Sequence, residues 1–540
     1  MFRISNFTEK LSYFNVMRMP KVGIVRSFLS LLIGWIIVTS VRCSQPPQTG
    51  EELAKVYCAS CHQYAAPALL DKKTWQTGVL PHMALRLGII TDTLNIARHQ
   101  AQLEEQERGV QLGYLPAQPV LLVADWKKIV AFYGEMAPDS LPHASTSVVE
   151  SLPLFTPRGP ADSLLSLTTF LQIDPSNQTL QVGTSRGDVF TLDRRLNRRD
   201  SLHFSSAVSD MKPLPGNEKP AYLLMGIMTP NDKKAGSLQQ IGVTNPLIDS
   251  LHRPVQLTTG DLNHDGQTDL VICEYGNNVG QISAFIREGN DYKKMVIDPV
   301  SGARQAIIRD LNADGWADLL VLFAQGDEQV ALFTNQHDGT FQKKTLLRFP
   351  PVYGSSYLEL ADMNGDGHPD LVCTNGDNAD YSQIIKPYHG IRVYLNDGKF
   401  GFRQAYFYSM PGAGQVLARD FDKDGDLDLV AISAFPDFSK NKPQVFVYLE
   451  NKGKLAFMPR SFAGADQGRW LVMTAGDLDH DGDEDIALGA YIRTLSPTPA
   501  AWTTRWQTTK AGLLVLDNQL NNLHPTPKSV STHVQRHPTR

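Results

Sequence analysis

The run Tyr57-Cys58-Ala59-Ser60-Cys61-His62 sets two thiols and an imidazole on one short stretch of chain. Thiols at this spacing can add to the two vinyl groups of a haem, and the adjoining imidazole is then carried to the iron as proximal ligand. A thioredoxin-like dithiol and half of a zinc site are the competing chemistries. No strand–helix–strand pattern surrounds the first. The second lacks a further cysteine pair, since the other cysteines, Cys43, Cys273 and Cys373, stand singly. The expectation is one covalent haem c held by Cys58, Cys61 and His62.

A second set of residues repeats. The unit D-x-[DN]-x-D-G-x-x-D occurs five times: Asp261, Asn263, Asp265, Gly266, Asp269; Asp310, Asn312, Asp314, Gly315, Asp318; Asp362, Asn364, Asp366, Gly367, Asp370; Asp420, Asp422, Asp424, Gly425, Asp428; and Asp477, Asp479, Asp481, Gly482, Asp485. Calcium takes six to eight hard oxygens in a flexible shell, and alternate acidic side chains around a Gly turn supply them. Side chains at positions 1, 3, 5 and 9 are the expected ligands, with a carbonyl at position 7, for up to five Ca2+ ions. An EF-hand would add a Glu at position 12, where Ile272 and Cys373 stand in the first and third copies. Solvated Asp-Gly turns are the bland alternative, and five copies in register count against it.

These residues need elements to carry them. Gly50 to Tyr57 reads as a short amphipathic helix leading into the Cys–His run. Asp125 to Met136 reads as a closing helix, with Trp126, Ile129, Val130 and Tyr133 at helical spacing. Each acidic loop is followed by a strand-like run such as Leu270-Val271-Ile272 or Leu429-Val430-Ala431. A second pair of strands comes after, as in Ile391 to Leu395 and Val445 to Leu449, often trailed by Asn-x-Gly turns. Loop starts lie 49, 52, 58 and 57 residues apart, a period of one four-stranded propeller blade. Two weaker blades, around Leu180–Gly183 with Val189–Leu192 and around Tyr222–Gly226, bring the total to seven. Leu513 to Leu516 is expected to close the ring with a strand from the first blade. If the acidic loops join strands A and B, the B–C connections emerge at the other end. There Tyr275–Asn278, Asn375–Tyr381, Phe435–Phe438 and Trp502–Trp506 gather aromatic and amide side chains, suited to docking a sugar, a protein or the chain's own haem domain, or simply to packing on each other.

The segment 44–142 resembles a class I cytochrome c domain, and residues 260–520 resemble the FG-GAP/VCBS repeats of integrin-like β-propellers. Together they resemble bacterial exported proteins that join a mono-haem cytochrome c to such a propeller. The resemblance implies a small all-α domain (44–142) followed by an all-β propeller (143–520), then a disordered tail (521–540). It also implies a distal iron ligand, usually Met. Met83, in Leu80-Pro81-His82-Met83, is preferred over Met136, with His82 and His99 in reserve.

Composition bounds the rest. The 540 residues carry 51 Lys+Arg against 56 Asp+Glu, a net charge of -5 that leaves no basic footprint for nucleic acid. Lys10, Arg18, Lys21 and Arg26 precede an apolar run from Phe28 to Val41, too short to span a bilayer and suited to an export signal. Cys43 follows directly, where a lipoprotein would be acylated, although Arg42 occupies a position that such signals give to a small residue. Residues 1–43 thus read as a signal peptide or lipoprotein signal, placing the protein in the periplasm or at the cell surface, with a membrane contact if Cys43 is lipidated. The leading functional expectation is an electron-transfer protein whose propeller docks a redox partner protein or a ligand. An oxidoreductase whose propeller binds a sugar or alcohol is the alternative, and a surface adhesion protein a second. Asp377, Asp380 and His389 are polar loop residues that could form an acid–base group, and no catalytic residue is assigned.

Overall fold

The computed structural model describes residues 49–91, 96–142, 147–159, 167–214, 219–379, 381–493, 498–509 and 511–523. The export segment with Cys43, the residue Asp380, and the tail with His524, His533 and His537 lie outside the described residues. Among the described residues no helix is long and apolar enough to cross a membrane.

The described residues between 49 and 142 form helices and their connections, with no strand among them. The helix Gly50–Tyr57 opens on a Thr49 capping box with Glu52, and Cys58–Ser60 continue it as one tighter turn. The closing helix is Val123–Met136, and Trp126, Ile129 and Tyr133 form its buried face. Between them lie a π-helical turn, Trp75–Val79, the helix Leu80–Arg86 and the long helix Ile96–Leu112. The core holds Leu53, Leu70, Trp75, Leu80, Trp126, Ile129 and Tyr133. Its buried ring donors are satisfied: Trp75 Nε1 donates to the Pro67 carbonyl at 2.8 Å and Tyr133 Oη to the Ala65 carbonyl at 2.6 Å. The two end helices cross at Gly50, where a Cβ would stand 2.2 Å from the Lys128 carbonyl oxygen.

The rest of the described chain forms seven antiparallel sheets, and these are the seven blades. Strands run A to D from the inside outward, as in the third blade: Pro254–Gly260, Asp269–Glu274, Gln281–Glu288 and Asp291–Asp298. The two blades without acidic loops are complete, with strands from Thr168–Asp174 to Arg198–His203 and from Val208–Lys212 to Ile248–Leu251. In all five acidic-loop blades strand B is buried at every position, because it lies between its own sheet neighbours and the faces of adjoining blades. That explains why these strands read as unbroken apolar runs rather than alternating ones. Cys273 and Cys373 are buried within two of them as free thiols.

Ring closure differs in one respect from the sequence reading. Strand Leu513–Asn518 does pair with an N-terminal strand, but its partner, Phe155–Arg158, precedes the first blade and serves as the outermost strand of the seventh. Arg158 fixes the seam by donating from Nε and Nη2 to both Asp517 carboxylate oxygens at 2.7 Å. Just before it, Val149–Glu150 adds a fifth, parallel strand to the sixth blade. The polypeptide leaving the helical region therefore binds two neighbouring blades, and Leu152, Leu154 and Phe155 fill the core between them.

Candidate functional site

The Cys–His run lies where the first helix ends. Cys58 is partly buried against the same apolar cluster as Tyr57 and Met83, and Cys61 is exposed. Burial pushes the Cys58 thiol up to about 11, the opposite of the activated thiolate that a redox dithiol needs. His62 Nδ1 lies 2.9 Å from the Gln63 carbonyl oxygen. A carbonyl only accepts, so the neutral ring carries its proton on Nδ1 and its lone pair on Nε2. An imidazole fixed in this tautomer is prepared to give Nε2 to a metal.

Met83 belongs to the helix Leu80–Arg86, not to the turn that Pro81 suggests, because a proline fits the first helical turn where its missing N–H is no loss. The other candidates sit elsewhere: Met136 is 59% exposed at the end of the closing helix, and His99 lies on the Ile96–Leu112 helix. Met83 is thus the methionine that shares an apolar cluster with Cys58.

The helical region is seated on the B–C end of the propeller. Val352, Tyr353, Ile384 and Tyr388 extend its core cluster. Tyr388 Oη donates to the Leu69 carbonyl at 2.8 Å, and the Tyr381 ring stacks on His82 with centroids 3.7 Å apart. From the third blade, Asn278 accepts a hydrogen bond from Arg86. Of the occupants expected for these loops, the chain's own helical domain fills the fifth-blade insertion. The insertions of blades six and seven pack on each other instead. Phe438 meets Trp502 and Trp506, on the helix Ala500–Thr509, and the Trp506 Nε1 donates to the Asp466 carbonyl.

Asp377 and His389 do not form an open acid–base group. His389 is only 1% exposed, and burial with neighbouring Lys386 and Arg392 holds its pKa well below the usual histidine value. Lys386 donates to Asn378 Oδ1 at 2.6 Å, and Arg392 to Asn375 Oδ1 at 2.7 Å. These groups order the insertion from inside.

The acidic loops occupy the opposite end and share one geometry. Position 4 takes a left-handed backbone in each, from φ 55° at Lys423 to 71° at Gly365, and the position-6 glycines lie between 79° and 96°. The first Asp receives the position-6 amide, as Gly266 N to Asp261 Oδ2 at 2.8 Å and Gly367 N to Asp362 Oδ2 at 2.8 Å. The fifth-position Asp receives the position-7 amide, as in Trp316 N to Asp314 Oδ1. In the last two loops, Asp420, Asp422 and Asp424, and Asp477, Asp479 and Asp481, bring one carboxylate oxygen each to within 4.8 Å of the others. Asp420 Oδ1 and Asp479 Oδ1 are shielded from solvent with no hydrogen-bond partner. A buried carboxylate oxygen left this way is costly unless a cation meets it.

The ninth-position aspartates have a further task. Asp269, Asp318, Asp370, Asp428 and Asp485 are fully or almost fully buried at the start of strand B. Asp370 Oδ2 accepts from Met363 N and Oδ1 from Asn396 N, both at 2.8 Å. Asp269, Asp318 and Asp485 repeat the pattern, while Asp428 takes Asn451 N and the Tyr448 hydroxyl. The strand-end asparagines so engaged extend the network: Asn335 Nδ2 reaches the Leu262 carbonyl of the preceding blade, and Asn518 Nδ2 that of Phe421. An asparagine stands at the end of strand C in four of the five blades, with Arg287 in its place in the third, and that recurrence is the signal the sequence carries for this role.

A family model described as an FG-GAP-like repeat matches residues 310–373 and 420–488. Similar solved structures include the Neurospora crassa Pan2 WD40 domain, at 9% identity and TM-score 0.39, covering 65% of this chain and 88% of that one. The N-terminal domain of Nup159 has 11% identity and TM-score 0.39 over 69% and 97% of the two chains. The Cps50 (Swd1) β-propeller domain of Myceliophteria thermophila has 10% identity and TM-score 0.39 over 63% and 96%. The chain carries FG-GAP-like repeats within a seven-bladed β-propeller.

Proposed function

We propose that the chain is an exported electron-transfer protein in which residues 44–142 form a cytochrome c-like domain carrying one covalent haem c, mounted on a calcium-stabilised propeller that docks a redox partner or ligand. The observation that carries this reading is the Cys58/Cys61/His62 run, with His62 Nε2 left as its metal-binding nitrogen and Cys58 facing the same apolar cluster as Met83. These residues fit the group: the two thiols would hold it and His62 and Met83 would ligate its iron. When bound, haem supplies a one-electron Fe(III)/Fe(II) couple, and a thioether ligand favours the reduced state. The chain's part is to exclude water with Trp75, Trp126 and Tyr133 and to fix the imidazole through Gln63.

Calcium fits the acidic loops for the reason given by Asp420 and Asp479, and side chains at positions 1, 3, 5 and 9 with the carbonyl at position 7 would hold it. Seven blades closed by Phe155–Arg158 make a rigid mount, and binding is the use of such a platform that its geometry supports. The apolar run before Cys43 supports export, and Cys43 itself a lipid anchor.

The test is an optical spectrum of protein exported with a haem-maturation system, oxidised and then dithionite-reduced. Expected are sharp reduced bands and, in the oxidised form, a Met–iron charge-transfer band lost on Met83→Ala. A ligand-accessible high-spin haem would move the assignment to an oxidoreductase, and a colourless protein would leave a binding propeller.

A further inference from the structure

The segment that carries Met83 has two faces, and the propeller holds one of them. Gly78, His82 and Arg86 are spaced four residues apart and so fall on one side of the turn Trp75–Val79 and helix Leu80–Arg86. All three meet B–C loops. Gly78 lies so close to blade five that a Cβ there would stand 2.5 Å from the Tyr381 carbonyl oxygen. His82 stacks on the Tyr381 ring at 3.7 Å, with planes 19° apart. Arg86 donates to Asn278 in blade three. Met83, one residue on from His82, turns to the interior cluster it shares with Cys58 and Tyr57.

We propose that Tyr381 is a positioning residue for Met83: blade five grips the outer face of this segment and thereby sets how firmly the thioether is presented toward the haem. The inference rests on the haem reading above. Groups that touch only the far side of a ligand-bearing element still decide its orientation, and a ligand held by a loosely packed segment binds less often. The π-helical turn ahead of the helix replaces the α pattern with an i→i+5 bond, Leu80 N to Trp75 O, an irregularity common beside functional sites. The propeller would then act as the outer support of the redox site as well as its mount.

The experiment compares haem-loaded full-length protein with Tyr381→Ala, Tyr381→Phe and Gly78→Ala. Expected are a weakened Met–iron charge-transfer band and a lowered reduction potential in Tyr381→Ala and Gly78→Ala. Amide exchange over residues 78–86 should quicken roughly tenfold in both. Tyr381→Phe keeps the stacked ring and should restore all three readouts. Gly78→Ala attacks the same contact from the other side and guards against misfolding of the loop variant. A band, potential and exchange pattern unchanged in Tyr381→Ala would overturn the proposal while leaving Met83 as ligand. A wild-type protein without the band would overturn the Met83 assignment itself, before any variant is compared.

Discussion

At one end of the propeller, five A–B connections of equal length turn on the same residues at the same backbone angles. At the other end, B–C connections run from 324–328 in blade four to 376–389 in blade five and 491–512 in blade seven. The regular end is built from bonds within each blade and to the blade before it. Its carboxylates bind amides of their own loops, and a ninth-position Asp ties each loop to its own strand C. The irregular end looks outward or sideways: blade five to the helical domain, blades six and seven to each other. Repetition thus marks a shared way of ordering five of the blades, and departure from it marks where the molecule does something particular. A blade can lose its acidic loop, as the first two do, and still close the ring.

The sharpest way to break this contrast is at a ninth-position Asp. Asp370→Ala strips acceptors from two buried amides at ~1–3 kcal/mol each. A loss of about 4 kcal/mol in urea unfolding is expected, with or without calcium. Asn364→Ala in the same loop should cost more with calcium than after chelation, since without the ion only its exposed bonds to Asp366 are lost. Equal effects of the two substitutions would mean the loop has no division of labour.

Next in size is Trp506→Ala. The ring is 1% exposed and wedged between the insertions of blades six and seven, so a cost of about 3 kcal/mol is expected. Contacts of the helical domain should be untouched, checked by amide exchange over 78–86. Tyr388→Phe removes one hydrogen bond to Leu69 and should cost about 1 kcal/mol, read as faster proteolysis within the fifth-blade insertion. A loss as large as that from Trp506→Ala would show that the helical domain is integral to the ring.

The smallest effect is one of pH. Neutral His389 has a folded pKa well below its ordinary value of about 6.5, so the unfolded chain takes up the proton first on acidification. Stability drawn from it is complete above about pH 6.5 and is lost as pH falls toward the folded value. Amide exchange across 376–389 should quicken below about pH 6 in the wild type and not in His389→Asn.

Much of the fold was legible because its signals recur. The period of the acidic loops counted five of the seven blades, and apolar runs after them located strand B. Gly50–Tyr57 and the closing helix also stood where their 3–4 spacing put them. The helix Ile96–Leu112 went unread because its sequence, IARHQAQLEEQERGVQL, has too thin an apolar stripe to announce a face. Pro81 sits inside a helix start, a place that a proline by itself does not distinguish from a turn. Which insertion receives the helical domain had no local signal: Tyr388 meets Leu69 across 319 residues of chain. For the candidate site, the residue types were legible, and the tautomer of His62 and the grip of Tyr381 were not, since both depend on atoms brought together only by folding.

The most direct measurement is the intact mass, under denaturing conditions, of protein exported alongside a haem-maturation system. A mass increase of one haem that persists through denaturation and disappears in Cys58→Ser/Cys61→Ser is the expected result. An unmodified polypeptide mass under the same conditions would contradict the assignment of Cys58, Cys61 and His62 as a haem site.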